Sequence, residues 1–170
     1  MRVTFLRFPD HKCGYSLVER DDGVVFRRTS GIAGPRLPRD LMQLVVEREL
    51  RITDGIWAGI AADTVFDSAR AELLADLVAT TAALDAPTPA QIQRLASAKL
   101  AGLPRAAIDP AAIDPGMVAA AAQALQVEAA RWAHLRVGEN LRYVFCPLIS
   151  GACRSSCCYS RMTRAEGCRS

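Results

Sequence analysis

Few residues in this chain could do chemistry: two histidines and six cysteines stand out among 170 residues. His11 and Cys13 flank Lys12 in a stretch bounded by Pro9 and Gly14. A thiol close to an imidazole is either a nucleophile with its base or a pair of metal ligands, and a neighbouring ammonium favours the thiolate. Neighbouring side chains in a turn rarely hold the geometry such a pair requires. An exposed loop with an incidental cysteine is the simpler reading. The other concentration is the stretch CPLISGACRSSCCYSRMTRAEGCRS, which carries Cys146, Cys153, Cys157, Cys158 and Cys168. Its gaps are not the paired Cys-x2-Cys of a zinc ribbon. Cys153-x3-Cys157 begins like the iron–sulfur motif of radical enzymes, but Ser160 stands where the third ligand belongs. The weak metal candidates are therefore His11, Cys13, Cys153, Cys157 and Cys158. No residue is assigned as catalytic or cofactor-binding, and no cofactor is implied.

The remaining polar candidates have structural explanations. His134 falls in the last turn of a helix, where a cation complements the helix dipole. Asp21 and Asp22 belong to a turn, and Asp40 to a helix start. Asp10 would have to approach them before any carboxylate pair could divide acid and base roles. The chain has no glycine-rich phosphate loop, no GxSxG elbow and no HExxH helix, so the enzyme classes built on those motifs have no support here.

The elements that would position these residues are legible. RVTFLRF at 2–8 reads as a strand, rich in aromatic and β-branched residues. Residues 15–20 and 24–28 flank Asp21-Asp22-Gly23, a strong hairpin signal because glycine accepts the positive φ of the turn. Residues 29–38 read as a loop. The organising helix is RDLMQLVVERELRI, Arg39 to Ile52, entered through Leu37-Pro38. Leu41, Leu44, Val45 and Ile52 form its apolar stripe. Glu47, Arg48, Glu49 and Arg51 read as its polar remainder. Thr53-Asp54-Gly55 ends the helix and offers a cap for a short one over 55–62. Asp67 or Ser68 starts a third helix to about Leu84. Thr88-Pro89-Ala90-Gln91 opens a fourth, as a capping box with proline at the first position. AAIDP is repeated in tandem at 106–115 and reads as a surface insertion. Asp114-Pro115 opens a fifth helix to about Arg136, and residues 141–145 read as a final strand. A lone strand is unstable, so this one is expected to join the N-terminal sheet. The fold class is α+β, a small antiparallel sheet of three N-terminal strands plus one near 141–145, packed on one face by about five helices.

Composition divides the chain. Hydrophobic residues make up 51% and charged residues 23%, which is globular rather than disordered. Residues 146–170 hold four arginines against Glu166, whereas residues 1–145 balance seventeen basic with seventeen acidic side chains. The body thus shows no net bias toward nucleic acid, and no apolar run reaches membrane-spanning length. Arg7 interrupts any signal-peptide core, so a cytoplasmic location is expected. The expected organisation is one α+β domain over 1–145 and a flexible Cys/Arg/Ser-rich tail over 146–170. Three readings of that tail compete: an unselected or out-of-frame extension, a soft-metal or disulfide segment, and a precursor core whose Ser, Thr and Cys are modified.

RFPD, VERDDGVV and LPRDLMQLVVERELRITDGIW resemble a group of small uncharacterised proteins of high-GC, actinobacterial-type bacteria. The resemblance covers about the first 60 residues and implies no activity. In that group the central helix often begins Pro-His-Asp, with a second histidine near position 43. Here Arg39 and Gln43 occupy those places, so no functional residue is carried over.

The sequence favours a non-enzymatic protein-interaction module, with the helix 39–52 region, Trp57 and Trp132 as candidate partner anchors, although the simpler reading of each is a core element under the sheet. The alternatives are a small thiol- or metal-dependent protein using Cys13, His11 and the tail cysteines, and a precursor with a modified tail. No amphipathic pattern docks the tail onto the body. Ending the chain at Phe145 should therefore leave the thermal midpoint nearly unchanged in a calorimetric scan, and a large loss would show that the tail packs into the core.

Overall fold

The turn at Asp21-Asp22-Gly23 forms as its residues demand. Gly23 takes a φ of +86°, which side chains with a Cβ resist. The Arg20 N–H donates to the Val24 carbonyl at 2.9 Å and the Gly23 N–H to the Arg20 carbonyl at 3.1 Å. This hairpin joins β2 (Gly14–Glu19) to β3 (Val25–Ser30). The first strand, β1 (Arg2–Leu6), lies on the other side of β2, and β4 (Asn140–Val144) pairs with β1. The result is a four-stranded sheet in the order β3-β2-β1-β4, antiparallel at every pairing. The expected return of the last strand to the N-terminal sheet is thus met. Beyond β4 the pairing continues, with the Phe145 N–H donating to the Met1 carbonyl at 2.9 Å. The computed structural model describes residues 1–7, 14–30, 36–65, 69–100 and 109–146.

The helices follow the local signals closely. α1 (Arg39–Glu49) starts after Pro38 and stops short of Ile52 because Arg51 turns left-handed, φ +54°. The Ile52 N–H then returns to the Glu47 carbonyl at 2.9 Å. α2 (Ile56–Ala62) and α3 (Ala69–Ala82) follow. α4 (Pro89–Leu100) opens with the expected reciprocal box. The Gln91 N–H donates to Thr88 Oγ1 at 3.3 Å and the Thr88 N–H to Gln91 Oε1 at 2.7 Å. Both Asp-Pro steps of the tandem pentapeptide do the same job. Asp109 accepts from the Ala111 N–H at 2.9 Å and opens a single 3-10 turn, Pro110–Ala112. Asp114 accepts from the Gly116 N–H at 2.8 Å and opens α5 (Pro115–His134). The described half of the repeat is a surface element, as expected, with Asp109, Ala111, Ala112 and Asp114 exposed.

Strand alternation then decides where the core sits. Val3, Phe5, Ser16, Val18, Leu141 and Tyr143 point to one face and are buried. All but Ser16 share one continuous apolar cluster with Leu41, Leu44 and Val45 of α1, Leu77 and Val78 of α3, and Val118 and Ala121 of α5. Trp57 and Trp132 are 0% and 1% exposed, so both belong to this core and neither is a surface anchor. Among the described residues no helix is long and apolar enough to cross a membrane.

Leu44 is completely buried, so Leu44→Ala should cost about 2–5 kcal/mol in urea unfolding. A cost near zero would show that α1 does not organise the core.

Candidate functional site

The same alternation that fills the inner face composes an outer one, and the register gives its layout. Three cross-strand rows point outward, read from β4 to β3: Val144, Arg2, Glu19, Val25; then Arg142, Thr4, Leu17, Arg27; then Asn140, Leu6, Tyr15, Thr29. Every one of these residues is exposed or half-buried apart from Thr4 at the centre. The core cluster takes in the inner-face residues and leaves out Leu6, Tyr15 and Leu17. The middle of the outer face is therefore an apolar strip on β1 and β2, and its two edge strands carry arginine.

More than half of the arginines among the described residues meet a carboxylate. Arg2 pairs with Glu19 across the strands at 2.9 Å. Arg20 is held by Asp22 and Asp63, whose hydrogen bonds raise its pKa and lower theirs. Arg28, Arg39, Arg48, Arg70, Arg131 and Arg136 each meet a carboxylate. Arg27 and Arg142 meet none among the described residues. Arg27 instead lies over the Tyr15 ring, its guanidinium carbon 5.0 Å from the ring centre. This is the diagonal placement that a cross-strand pair allows.

Beneath the sheet is a second polar arrangement, which the sequence did not reveal. Asp40, Gln43 and Glu47 recur along one face of α1 and are 5%, 3% and 2% exposed. Trp57 spans that face. Its indole N–H donates to the Asp40 carbonyl at 2.9 Å, and its backbone N–H donates to Glu47 Oε2 at 2.9 Å. The Ala58 N–H joins the same oxygen at 3.2 Å. Glu47 thus caps α2 from a different helix. The Thr53-Asp54-Gly55 cap expected from the sequence is replaced by this tertiary one, and Gly55 provides no side-chain cap. A Cβ on Gly55 would stand 2.2 Å from the Glu47 carboxyl carbon, so glycine is needed there for close approach. Arg28 reaches Asp40 Oδ2 at 3.0 Å from the inner face of β3. Ser16, beside Arg28 in that face, completes the group. Ser16 Oγ, Gln43 Nε2 and Glu47 Oε1 are buried without a hydrogen-bond partner.

Burial acts on these acids. Desolvation raises the Asp40 pKa against the opposing pull of Arg28. It pushes Glu47 up to about 7, further raised by nearby Asp54 and only partly offset by the amide donors of α2. Tyr143, which donates to Glu128 Oε2 at 2.6 Å, is likewise raised by burial first and by that carboxylate second.

Among the described residues the sequence-derived candidates do not assemble into a site. His11, Cys13, Cys153, Cys157 and Cys158 lie outside the described residues. His134 is exposed in the last turn of α5, its Nδ1 2.7 Å from the Ala130 carbonyl. The carboxylates considered as a pair are separately engaged. Asp21 takes the Met1 ammonium at 2.8 Å, Asp22 takes Arg20, and Asp40 takes Arg28. Among the described residues no three His, Cys, Asp or Glu side chains are grouped to hold a metal. The helix 39–52 region, also considered as a partner surface, is largely interior as its core-helix reading expected, with seven buried residues on α1. Comparison with protein families, with curated proteins and with solved structures finds no match to this chain.

The raised pKa of Glu47 has a defined sign in stability. Its folded value, about 7, lies above the ordinary 4.5, so folding takes up a proton between those values. The stability linked to that proton is complete below the lower value and lost as pH rises through the upper one. Glu47→Gln keeps an acceptor for the α2 amides and abolishes the titration. Relative to the parent, this variant should gain on the order of 3 kcal/mol between pH 4 and pH 8 in paired urea titrations. A difference that stays constant with pH would contradict the assignment.

Proposed function

We propose that this chain is a non-enzymatic protein-interaction module whose contact surface is the outer face of its sheet. The observation that carries this reading is the two-sidedness of the sheet. One face meets α1, α2 and α5 through Arg28–Asp40, Phe5–Trp57 and Tyr143–Glu128, while the other leaves Leu6 and Leu17 outside the core, between two arginine-bearing edges. Val25 and Val144, 59% and 54% exposed, extend the apolar surface at opposite edges of the first row. Partial exposure of aliphatic side chains on a structured, charged-rimmed face is the usual composition of a contact surface. The surface lies away from α1, whose apolar stripe is consumed by the core. The cytoplasm is the compartment this reading assumes.

A photo-crosslinking residue placed at Leu17 tests the assignment inside the cells that make the protein. A discrete higher-mass adduct is expected from position 17 and not from the exposed Ala120 of α5. Adducts from both positions, or from neither, would contradict it.

A further inference from the structure

We infer that the partner presented to this face is an acidic amphipathic helix of another protein, lying along β1 and β2 with carboxylates on both of its flanks. The inference rests on the interaction reading above and adds the chemistry of the occupant.

Charge is the first argument. Residues 1–145 balance acids and bases evenly, yet the outer face carries Arg2, Arg27 and Arg142 against Glu19 alone. The Arg2–Glu19 pair is satisfied within the face. Arg27 and Arg142 remain, and both lie in the middle row with Thr4 and Leu17 between them. Arg36, Arg51 and Arg94 likewise meet no carboxylate among the described residues, but Arg27 and Arg142 are the pair that the register brings into one row of one face. An arginine at a contact edge selects its partner by charge and geometry.

Dimensions are the second argument. Arg142 and Arg27 stand on the two edge strands, three strand spacings apart, or about 14 Å at roughly 4.8 Å per spacing. A helix with its side chains is about 10–12 Å across. It fits between the two guanidinium groups with its apolar stripe on Leu6 and Leu17 and an acid reaching each edge. The strands are five or six residues long, which at about 3.4 Å per residue gives a bed of roughly 17–20 Å. That length holds about three helical turns.

The side chains of the face also separate protein from nucleic acid as its occupant. A sheet that reads single strands presents aromatic rings mid-face for base stacking. The mid-row positions here are Thr4 and Leu17, and the Tyr15 ring is overlain by Arg27. Aliphatic side chains suit an apolar helix stripe and give a base nothing to stack on.

The test uses the full chain and three probes: a stapled helical peptide of about 14 residues with a leucine stripe flanked by glutamates, the same peptide with lysines for glutamates, and an oligouridine strand. Binding is followed by calorimetry at low and high salt. The acidic peptide should bind, weaken as salt rises, and lose about tenfold or more in affinity in Arg27→Glu and in Arg142→Glu. Both substitutions are at exposed positions, and an unchanged thermal midpoint confirms that each variant folds. Equal or tighter binding of the lysine peptide, preferential binding of oligouridine, or binding indifferent to both arginine substitutions overturns the inference. So does absence of binding by every probe. In that last case a position-specific adduct at Leu17 would show that the interaction face stands and only the partner chemistry is wrong, whereas its absence would remove the face as well.

Discussion

The described helices on the inner side of the sheet depend on how Trp57 is fixed to α1. A seven-residue helix such as α2 has too few internal hydrogen bonds to persist alone. Here its first turn is bonded by the Glu47 carboxylate, and its one large side chain is bonded by the Asp40 carbonyl. Two attachments, seven residues apart on α1, leave the indole one orientation. Its ring meets Phe5 edge-on at a centroid distance of 5.9 Å, and Phe5 meets Tyr143 in the same way at 5.8 Å. The chain of contacts runs from α2 through β1 to β4, the strand most distant in sequence. A buried carboxylate is costly, and this one is offset by amide donors rather than by a cation. The same donors explain why Gly55, with no side chain, precedes the helix.

That interior arrangement has a consequence for the exterior. With the inner face of the sheet held by packed aromatics and by the Arg28–Asp40 pair, the strands are fixed in register. The outer rows are fixed with them. Arg142 and Arg27 are then held a set distance apart by the sheet, although each side chain is itself exposed. Recognition by a preorganised surface costs less ordering than recognition by a loop. The polar group under the sheet and the open surface above it are in this sense two aspects of one constraint, although only the second faces solvent.

Much of the fold was legible because its signals are local. Gly23 in the hairpin, the Thr88–Gln91 box, and the Asp-Pro steps at 109 and 114 each act on neighbouring residues, and each does what its chemistry requires. The inner and outer strand faces follow from alternation once the register is known. The misreadings share a cause. Glu47 looked like a solvated residue beside Arg48 and Glu49, and Asp40, the first-turn acid it was read as, gave no sign of its burial. Their partners, the α2 amides and Arg28, lie ten or more residues away. Periodicity cannot distinguish a polar residue facing water from one facing another element's backbone. The spacing Asp40, Gln43, Glu47, by three and then four, was the available hint, since it places three polar residues on one helical face. The open face was likewise hidden, because Arg27 and Arg142 are far apart in sequence and meet in one row only through the β4–β1–β2–β3 order.

The most direct test of the account is radical footprinting of the outer face in intact cells, set against the purified chain. The account predicts that Tyr15 and Leu17 are modified more slowly in cells, while exposed residues of α5 such as Met117 react equally in both settings. Equal modification of Tyr15 and Leu17 in cells and in isolation would contradict it, because a face that contacts nothing where the protein works is not a contact surface.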